Sequence, residues 1–215
     1  MFKVEPIVNL ISKEVIGYEL LFHGNIPNDV LFKEPNVYID LFIFEKIKQF
    51  FFDKLSKIKK KIFINVNVET LCMNNNLFFK LPENVYFEVI ENGRKFEFYE
   101  NYLMGLKNKI IIDDFGTGNA NIDTICRLKP FGTKLDRILL NFSDDFLVNL
   151  LVELNKYCKI VVFEKIETQE ELERIHKLGF QFAQGYIFSK CKRCESLFKI
   201  PQKNNHKIDI LSNKY

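Results

Sequence analysis

The sequence predicts an α/β protein in which strands and helices alternate, either a βα barrel or a doubly wound sheet. Short apolar runs alternate with amphipathic stretches along most of the 215 residues. Several of these runs are apolar throughout, which is typical of strands that are covered on both faces. No repeat, low-complexity tract or Pro/Gly linker divides the chain, so we predict one domain over residues 1–200. The polar segment 201–215 is predicted to be a tail.

Eight strands are predicted, the first two forming an opening pair around the turn "ISK". In chain order they are "KVEPIVNL" (3–10), "EVIGYELLF" (14–22), "KIFINV" (61–66), "NVYFEVI" (84–90), "KIIIDD" (109–114), "GTKLD" (132–136), "KIVVFE" (159–164) and "FQFAQ" (180–184). After the opening pair, most of the strands are separated by a helical pattern. This order favours parallel pairing for the later strands.

Helix ends are marked by ordinary capping residues. Thr168 and Glu171 form the capping-box pattern of a helix that ends before Gly179. Ser143 is the predicted N-cap of the preceding helix, and acidic residues follow it at the positive end of the helix dipole. Pro130 ends the helical pattern "ANIDTICRLK".

Composition excludes several classes of function. The net charge of +3 is too small to indicate a nucleic-acid polymer or an anionic membrane as partner. The longest apolar runs are far shorter than the roughly 20 residues of a membrane span, and the N-terminus does not resemble a signal peptide. Five cysteines without framework spacing predict free thiols in the cytoplasm. Cys191 and Cys194, with His206 beyond, are only weak evidence for zinc.

Two adjacent aspartates, Asp113 and Asp114, follow the apolar run "III" and would repel each other. They therefore predict a compensating cation, with a metal ion as the first candidate. Polar residues end the other predicted strands as well, and in a barrel these strand ends meet on one face. The set comprises Glu19, Asn65, Glu88, Lys134, Asp136, Glu164 and Gln184.

Hard oxygen ligands of this kind suit Mg²⁺, Mn²⁺ or Ca²⁺, and a two-metal site would support hydrolysis of a phosphodiester. Each acid taken alone could instead be a helix cap or a surface residue, and Glu167 could simply favour the dipole of the next helix. "DFG" also occurs in protein kinases, but the sequence has neither a kinase catalytic loop nor a P-loop.

The ordered motifs resemble the EAL domains that hydrolyse cyclic di-GMP in bacteria. The matching stretches are "GYELLFHG" (17–24), "FINVNVETL" (63–71), "FEVIENG" (87–93), "DDFGTG" (113–118), "KLDR" (134–137), "EKIET" (164–168) and "QGYIFSK" (184–190). The resemblance covers the chain to about residue 200. The "YELLF" and "EKIET" variants are similar to the EAL half of EAL–HDOD proteins.

The resemblance implies a modified TIM-type (βα)8 barrel whose first strand is antiparallel, and a phosphodiesterase that converts cyclic di-GMP to linear pGpG. It implies two Mg²⁺ or Mn²⁺ ions, inhibition by Ca²⁺, and compatibility with a homodimer. The residues with implied roles are the metal ligands Glu19, Asn65, Glu88, Asp113 and Asp114; the general base Glu164 with Lys134 beside the attacking water; His23 and Gln184 near the substrate and the hydrated metal; and Glu91, Asp136 and Glu167 in support.

Four positions depart from the family pattern. His23 replaces an arginine that grips a substrate phosphate with a planar fork, which histidine cannot copy. Ile90, Asn92 and Lys165 replace a threonine, a serine and a glycine. The leading hypothesis is an active enzyme, because the residues of the chemical centre are retained. The alternatives are a degenerate domain that binds cyclic di-GMP without cleaving it, and a protein-interaction module.

Overall fold

Eight strands of the chain close into a barrel. They are β1 (Phe2–Asn9), β2 (Glu14–Phe22), β3 (Lys61–Asn67), β4 (Val85–Ile90), β5 (Ile110–Phe115), β6 (Gly132–Leu135), β7 (Ile160–Phe163) and β8 (Phe182–Gln184). The computed structural model describes residues 2–23, 36–73, 81–90, 96–117, 122–188 and 192–193. All eight strands lie within the predicted runs or within one residue of them.

The first strand runs against the rest of the barrel. Neighbouring strands from β2 to β8 are parallel and follow chain order, whereas β1 pairs antiparallel with both β2 and β8 and thereby closes the sheet. The barrel alternative and the antiparallel first strand are therefore confirmed. A short strand that the sequence did not predict, β9 (Lys192–Arg193), also pairs with β1.

Helices follow most of the strands and cover the outside of the barrel. The described helices are α1 (Val37–Leu55), α2 (Val68–Met73), α3 (Phe96–Leu106), α4 (Ile122–Leu128), α5 (Asp144–Leu154) and α6 (Gln169–Lys177). The Thr168 hydroxyl accepts a bond from the Glu171 backbone N–H, which completes the predicted capping box of α6. Ser143 caps α5 as predicted, and its hydroxyl accepts a bond from the backbone N–H of Phe146.

Alternation along the strands creates two apolar layers. Side chains that point outward, such as Ile64, Phe87 and Ile112, pack between the barrel and the helices. Side chains that point inward form a smaller core within the barrel, made of Ile7, Phe63, Ile111, Phe131, Ile160 and Val162. The barrel is thus a packed core with side chains in layers, as expected for this architecture.

Aromatic rings close the lower end of the barrel, where the parallel strands begin. The ring centroid of Tyr86 lies 5.4 Å from that of Phe63 and 4.5 Å from that of Phe131. The ammonium group of Lys109 lies 4.7 Å from the centroid of Tyr86, which places a cation over the aromatic face. Among the described residues, aromatic rings thus line this end of the interior, and the buried carboxylates lie at the opposite end.

A buried carboxylate on α1 fixes the turn between β3 and α2. Oδ2 of Asp40 accepts bonds from the backbone N–H and the side-chain amide of Asn67, both at 2.9 Å, and from the Thr70 hydroxyl at 2.5 Å. Burial raises the pKa of Asp40 even though these bonds favour the charged form. The turn that follows Asn65 is therefore tied to the first helix.

Some sequence predictions fall outside the described residues. These are the pair Cys191 and Cys194 with His206, the tail 201–215, and Glu91. Among the described cysteines, none forms a disulfide. No helix in the described ranges has the length and apolar character needed to cross a bilayer. The cytoplasmic location and the homodimer stay predictions.

Replacing Asp40 with alanine is expected to lower the free energy of unfolding by about 1–3 kcal/mol, because the donors of Asn67 and Thr70 would be left buried without an acceptor. Urea unfolding followed by circular dichroism measures this change. Asp53→Ala is the matched control, since Asp53 lies exposed on the same helix. Equal stability of the two variants would contradict the role of Asp40.

Candidate active site

A polar layer lies directly above the apolar interior of the barrel. In each parallel strand the inward polar residue comes two positions after an inward apolar residue or glycine, as in Phe63 and Asn65, or Ile111 and Asp113. Successive side chains on one face of a strand are two residues apart, so the polar side chains form one ring at the strand ends. Its members are Glu19, Asn65, Glu88, Asp113, Lys134, Glu164 and Gln184.

The ammonium group of Lys134 lies in the centre of this ring. Its Nζ is 3.1 Å from Oε2 of Glu88, 3.2 Å from Oε2 of Glu19 and of Glu164, and 3.3 Å from Oδ1 of Asp113. All five side chains are buried, and Lys134 is only 1% exposed. A single ammonium thus neutralises part of the charge of four carboxylates.

Two amides hold the carboxylate of Glu19. The side-chain amide of Asn65 donates to Oε1 of Glu19 at 2.7 Å, and the amide of Gln184 donates to Oε2. The same Gln184 nitrogen donates to Oε2 of Glu5 at 3.0 Å. Since both amides donate through nitrogen, their carbonyl oxygens remain as acceptors at the mouth of the barrel.

A second ammonium group, that of Lys165, lies beside the ring. Its Nζ donates to Oδ1 of Asp114 at 2.7 Å and to Oδ2 of Asp136, and it is 3.3 Å from Oε1 of Glu164. Asp136 also accepts a bond from the backbone N–H of Ile138, which caps a 3₁₀ turn. Lys165 therefore links the loop after β5 to the ends of β6 and β7.

The pKa values reflect the crowding of charge. Burial raises the pKa of Glu88 well above its ordinary value, and the nearby charge of Glu19 adds to this effect. Burial also raises the pKa of Asp113, to about 7. Burial alone would raise the pKa of Glu19, but Lys134 and the two amides outweigh it and lower the value to about 2. Burial would lower the pKa of Lys134, yet its four carboxylates raise it well above the ordinary value.

The donor set fits a hard divalent cation. Seven carboxylates face two ammonium groups, namely Glu5, Glu19, Glu88, Asp113, Asp114, Asp136 and Glu164 against Lys134 and Lys165. Oε1 of Glu88 and Oε1 of Gln184 are buried and accept no hydrogen bond from the described part of the chain. Asp113, Asp114 and Glu164 offer ligand atoms within 4.8 Å of one another. Oxygen ligands with this surplus of negative charge suit Mg²⁺, Mn²⁺ or Ca²⁺.

Not every predicted site residue joins the ring. His23 is exposed just after β2. Glu167 is exposed and pairs at 2.9 Å with Arg137, which also bonds Glu171 in the cap of α6. Asp114 and Asp136 lie beside the ring, and Lys165 links them to Glu164 in it. The remaining predicted ligands in the described ranges lie in the ring itself.

Sequence reasoning missed two members of the site. Glu5 lies opposite Glu19 in the register of β1 and β2, so both side chains share one face. Because β1 is antiparallel, its polar residue precedes the inward apolar Ile7 instead of following it. The predicted antiparallel direction was the signal that could have identified Glu5. The sequence marks Lys165 only as a departure from glycine and does not indicate its partners.

Two curated relatives of this chain are longer than the chain itself. The chain is 31% identical over 205 residues to a cyclic di-GMP phosphodiesterase, TpdA, of Vibrio parahaemolyticus, covering 86% of this chain and 36% of TpdA. It is 27% identical over 218 residues to the cyclic di-GMP phosphodiesterase PdeA of Borreliella burgdorferi, covering 87% of this chain and 32% of PdeA. The chain thus spans about a third of the length of each relative.

Solved structures share the fold. The Bacillus subtilis YkuI protein, with an EAL domain and in complex with cyclic di-GMP and calcium, matches with a TM-score of 0.74 at 18% identity, covering 89% of this chain and 55% of that one. The model of the EAL domain family matches residues 2–191, which is most of the sequence and contains every strand of the barrel. The chain belongs to the EAL domain family.

Proposed function

We propose that this chain hydrolyses cyclic di-GMP to linear pGpG with Mg²⁺ or Mn²⁺. The observation that carries the proposal is the ring of buried carboxylates around Lys134 at the open end of the barrel. Membership of the EAL family and the names of its relatives support the choice of substrate. To open the cyclic dinucleotide, water must add to one phosphorus atom while the P–O bond from that phosphorus to a ribose breaks.

The cations would be held by the five predicted ligands and by one oxygen of Glu164, whose predicted role is that of the general base. Glu19, Asn65, Glu88 and Asp113 would provide oxygen atoms on one side, and Asp113, Asp114 and Glu164 on the other. When bound, two divalent ions activate water and neutralise charge on the phosphate oxygens. Oε1 of Glu88, which accepts no hydrogen bond from the described residues, supports this assignment because such an atom is costly to bury without a partner.

Glu164 is the proposed general base. It lies at the end of β7, where Lys134 and Lys165 contact its two oxygen atoms. These cations favour the charged carboxylate, which can then accept a proton from the attacking water. Lys134 would stabilise the negative charge that develops on the phosphate oxygens. Gln184 is proposed to orient water at the same face.

The glycine after β8 supports the placement of Gln184 and Glu164. Gly185 has a φ of +149°, and a side chain at this position would collide with the backbone nitrogen and oxygen of Ile166. The backbone N–H of Ile166 donates to the carbonyl oxygen of Gln184 at 3.1 Å. The close approach therefore fixes the loops that carry both side chains.

Glu164→Gln is expected to lower the rate of pGpG formation by about 10²–10⁴-fold, because glutamine cannot accept the proton. The assay follows linear product from cyclic di-GMP in magnesium and in manganese. Glu170→Gln is the matched control, since Glu170 is exposed on the neighbouring helix and should leave the rate unchanged. Nucleotide binding by the wild-type protein without any turnover would identify a receptor instead of an enzyme.

Calcium is expected to permit binding of cyclic di-GMP while inhibiting its cleavage. Calorimetric titration in calcium and product analysis in the same buffer separate these two properties. Because Ca²⁺ accepts longer and more variable bonds than Mg²⁺, it holds the ligands without fixing a near-ideal octahedral geometry. Full turnover in calcium would contradict the proposed requirement for Mg²⁺ or Mn²⁺.

His23→Arg is expected to tighten binding of cyclic di-GMP about tenfold or more, because a charge-assisted bond to phosphate contributes about 1.5–3 kcal/mol. Calorimetry in calcium measures the affinity. His176→Arg serves as control, since it adds the same charge on α6. Unchanged affinity would show that His23 lies away from the phosphate.

The metal-free protein is expected to lose stability as the pH rises from 5 to 7. The pKa of Asp113 is raised from 3.8 to about 7 in the folded chain, so the folded state binds more protons than the unfolded state over this range. Thermal unfolding in chelator should show that the free energy of unfolding of the wild type falls by about 1–3 kcal/mol over this pH range. The fall should be smaller in Asp113→Asn. If the free energy of unfolding changed with pH in the same way in the wild type and in Asp113→Asn, the raised pKa of Asp113 would be contradicted.

A further inference from the structure

Lys165 has a backbone conformation that rarely suits a lysine. Its φ is +58°, in the left-handed region that favours glycine, and its partner Asp114 has a φ of +54°. The side chains of these two residues are joined by a 2.7 Å bond between Nζ and Oδ1. The ion pair therefore joins two residues that both have left-handed backbone conformations.

The ammonium group of Lys165 contacts oxygen atoms on one side of the site. It bonds Asp114 and Asp136 and lies 3.3 Å from Oε1 of Glu164. Asp114 and Glu164 also belong to the trio whose ligand atoms lie within 4.8 Å of one another. The ammonium therefore contacts two of the three carboxylates of this trio.

The opposite side of the site is organised differently. There, Lys134 contacts Oε2 of Glu19 and Oε2 of Glu88, whereas Oε1 of Glu88 is buried without a hydrogen-bond partner among the described residues. On the side of Lys165, both oxygen atoms of Glu164 lie next to an ammonium group, Oε1 next to that of Lys165 and Oε2 next to that of Lys134. The two cation positions are thus unequal in this chain.

We propose that the side chain of Lys165 acts as a tethered cation that competes with the second divalent ion, so that the chain holds one ion firmly and the second only weakly. This inference rests on the proposed function, because it assumes the same metal-binding carboxylates. Like charges repel across a few ångströms, so the ammonium and a divalent ion cannot share Asp114 and Glu164 without a loss of affinity. Lys165 is accordingly a positioning residue that sets the number of bound ions.

Equilibrium dialysis against Mn²⁺ alone, with metal analysis of the protein, tests the proposal. Lys165→Met removes the charge and keeps a long side chain, whereas Lys165→Gly also relieves the left-handed backbone. Wild-type protein should bind one Mn²⁺ per chain at concentrations where both variants bind two. The affinity for the second Mn²⁺ should be at least about tenfold higher in the two variants than in the wild type. Electron paramagnetic resonance should detect a coupled manganese pair at lower Mn²⁺ in the variants than in the wild type.

Lys129→Gly is the matched control, because Lys129 is an exposed lysine with a φ of +49°. It should bind Mn²⁺ as the wild type does. Two equally tight ions in the wild type, or a single ion in both Lys165 variants, would overturn the inference and leave the proposed function standing. A second ion in Lys165→Gly but not in Lys165→Met would assign the effect to the backbone and also overturn it. No bound Mn²⁺ in any protein would overturn the proposed function together with this inference.

Discussion

The ammonium group of Lys134 is the interaction on which the open end of the barrel depends. Four carboxylates from β2, β4, β5 and the end of β7 lie within 3.3 Å of it. Without this cation their mutual repulsion would be severe at such low exposure. With it, a surplus of negative charge remains. The fold therefore tolerates an electrostatic imbalance at one end that apolar packing elsewhere must stabilise.

Most of the fold could be predicted because strand and helix signals were strong and consistent. The apolar runs located all eight barrel strands, and Thr168, Glu171 and Ser143 marked helix starts as predicted. The family resemblance supplied the choice between a barrel and a doubly wound sheet, which periodicity alone left open. The two-residue strand β9 carries too little pattern to be recognised from sequence.

The site could be predicted as a set of strand-end residues but not as a network. The sequence required a compensating cation beside Asp113 and Asp114, and metal was the first candidate. The structure shows that the chain supplies two cations itself, because Lys134 and Lys165 reach these carboxylates. Such pairings join residues far apart in sequence, so no local spacing indicates them. Glu5 was missed for a related reason, since an antiparallel strand reverses the order of polar and apolar positions.

The aromatic layer at the lower end of the barrel affects how molecules enter and leave the site. Tyr86 packs between Phe63 and Phe131, and the apolar interior above them is filled. Among the described residues, these packed rings lie on the far side of the apolar core from Lys134. Passage to Lys134 from the lower end would require them to separate, so the packing favours entry and departure at the carboxyl ends of the strands.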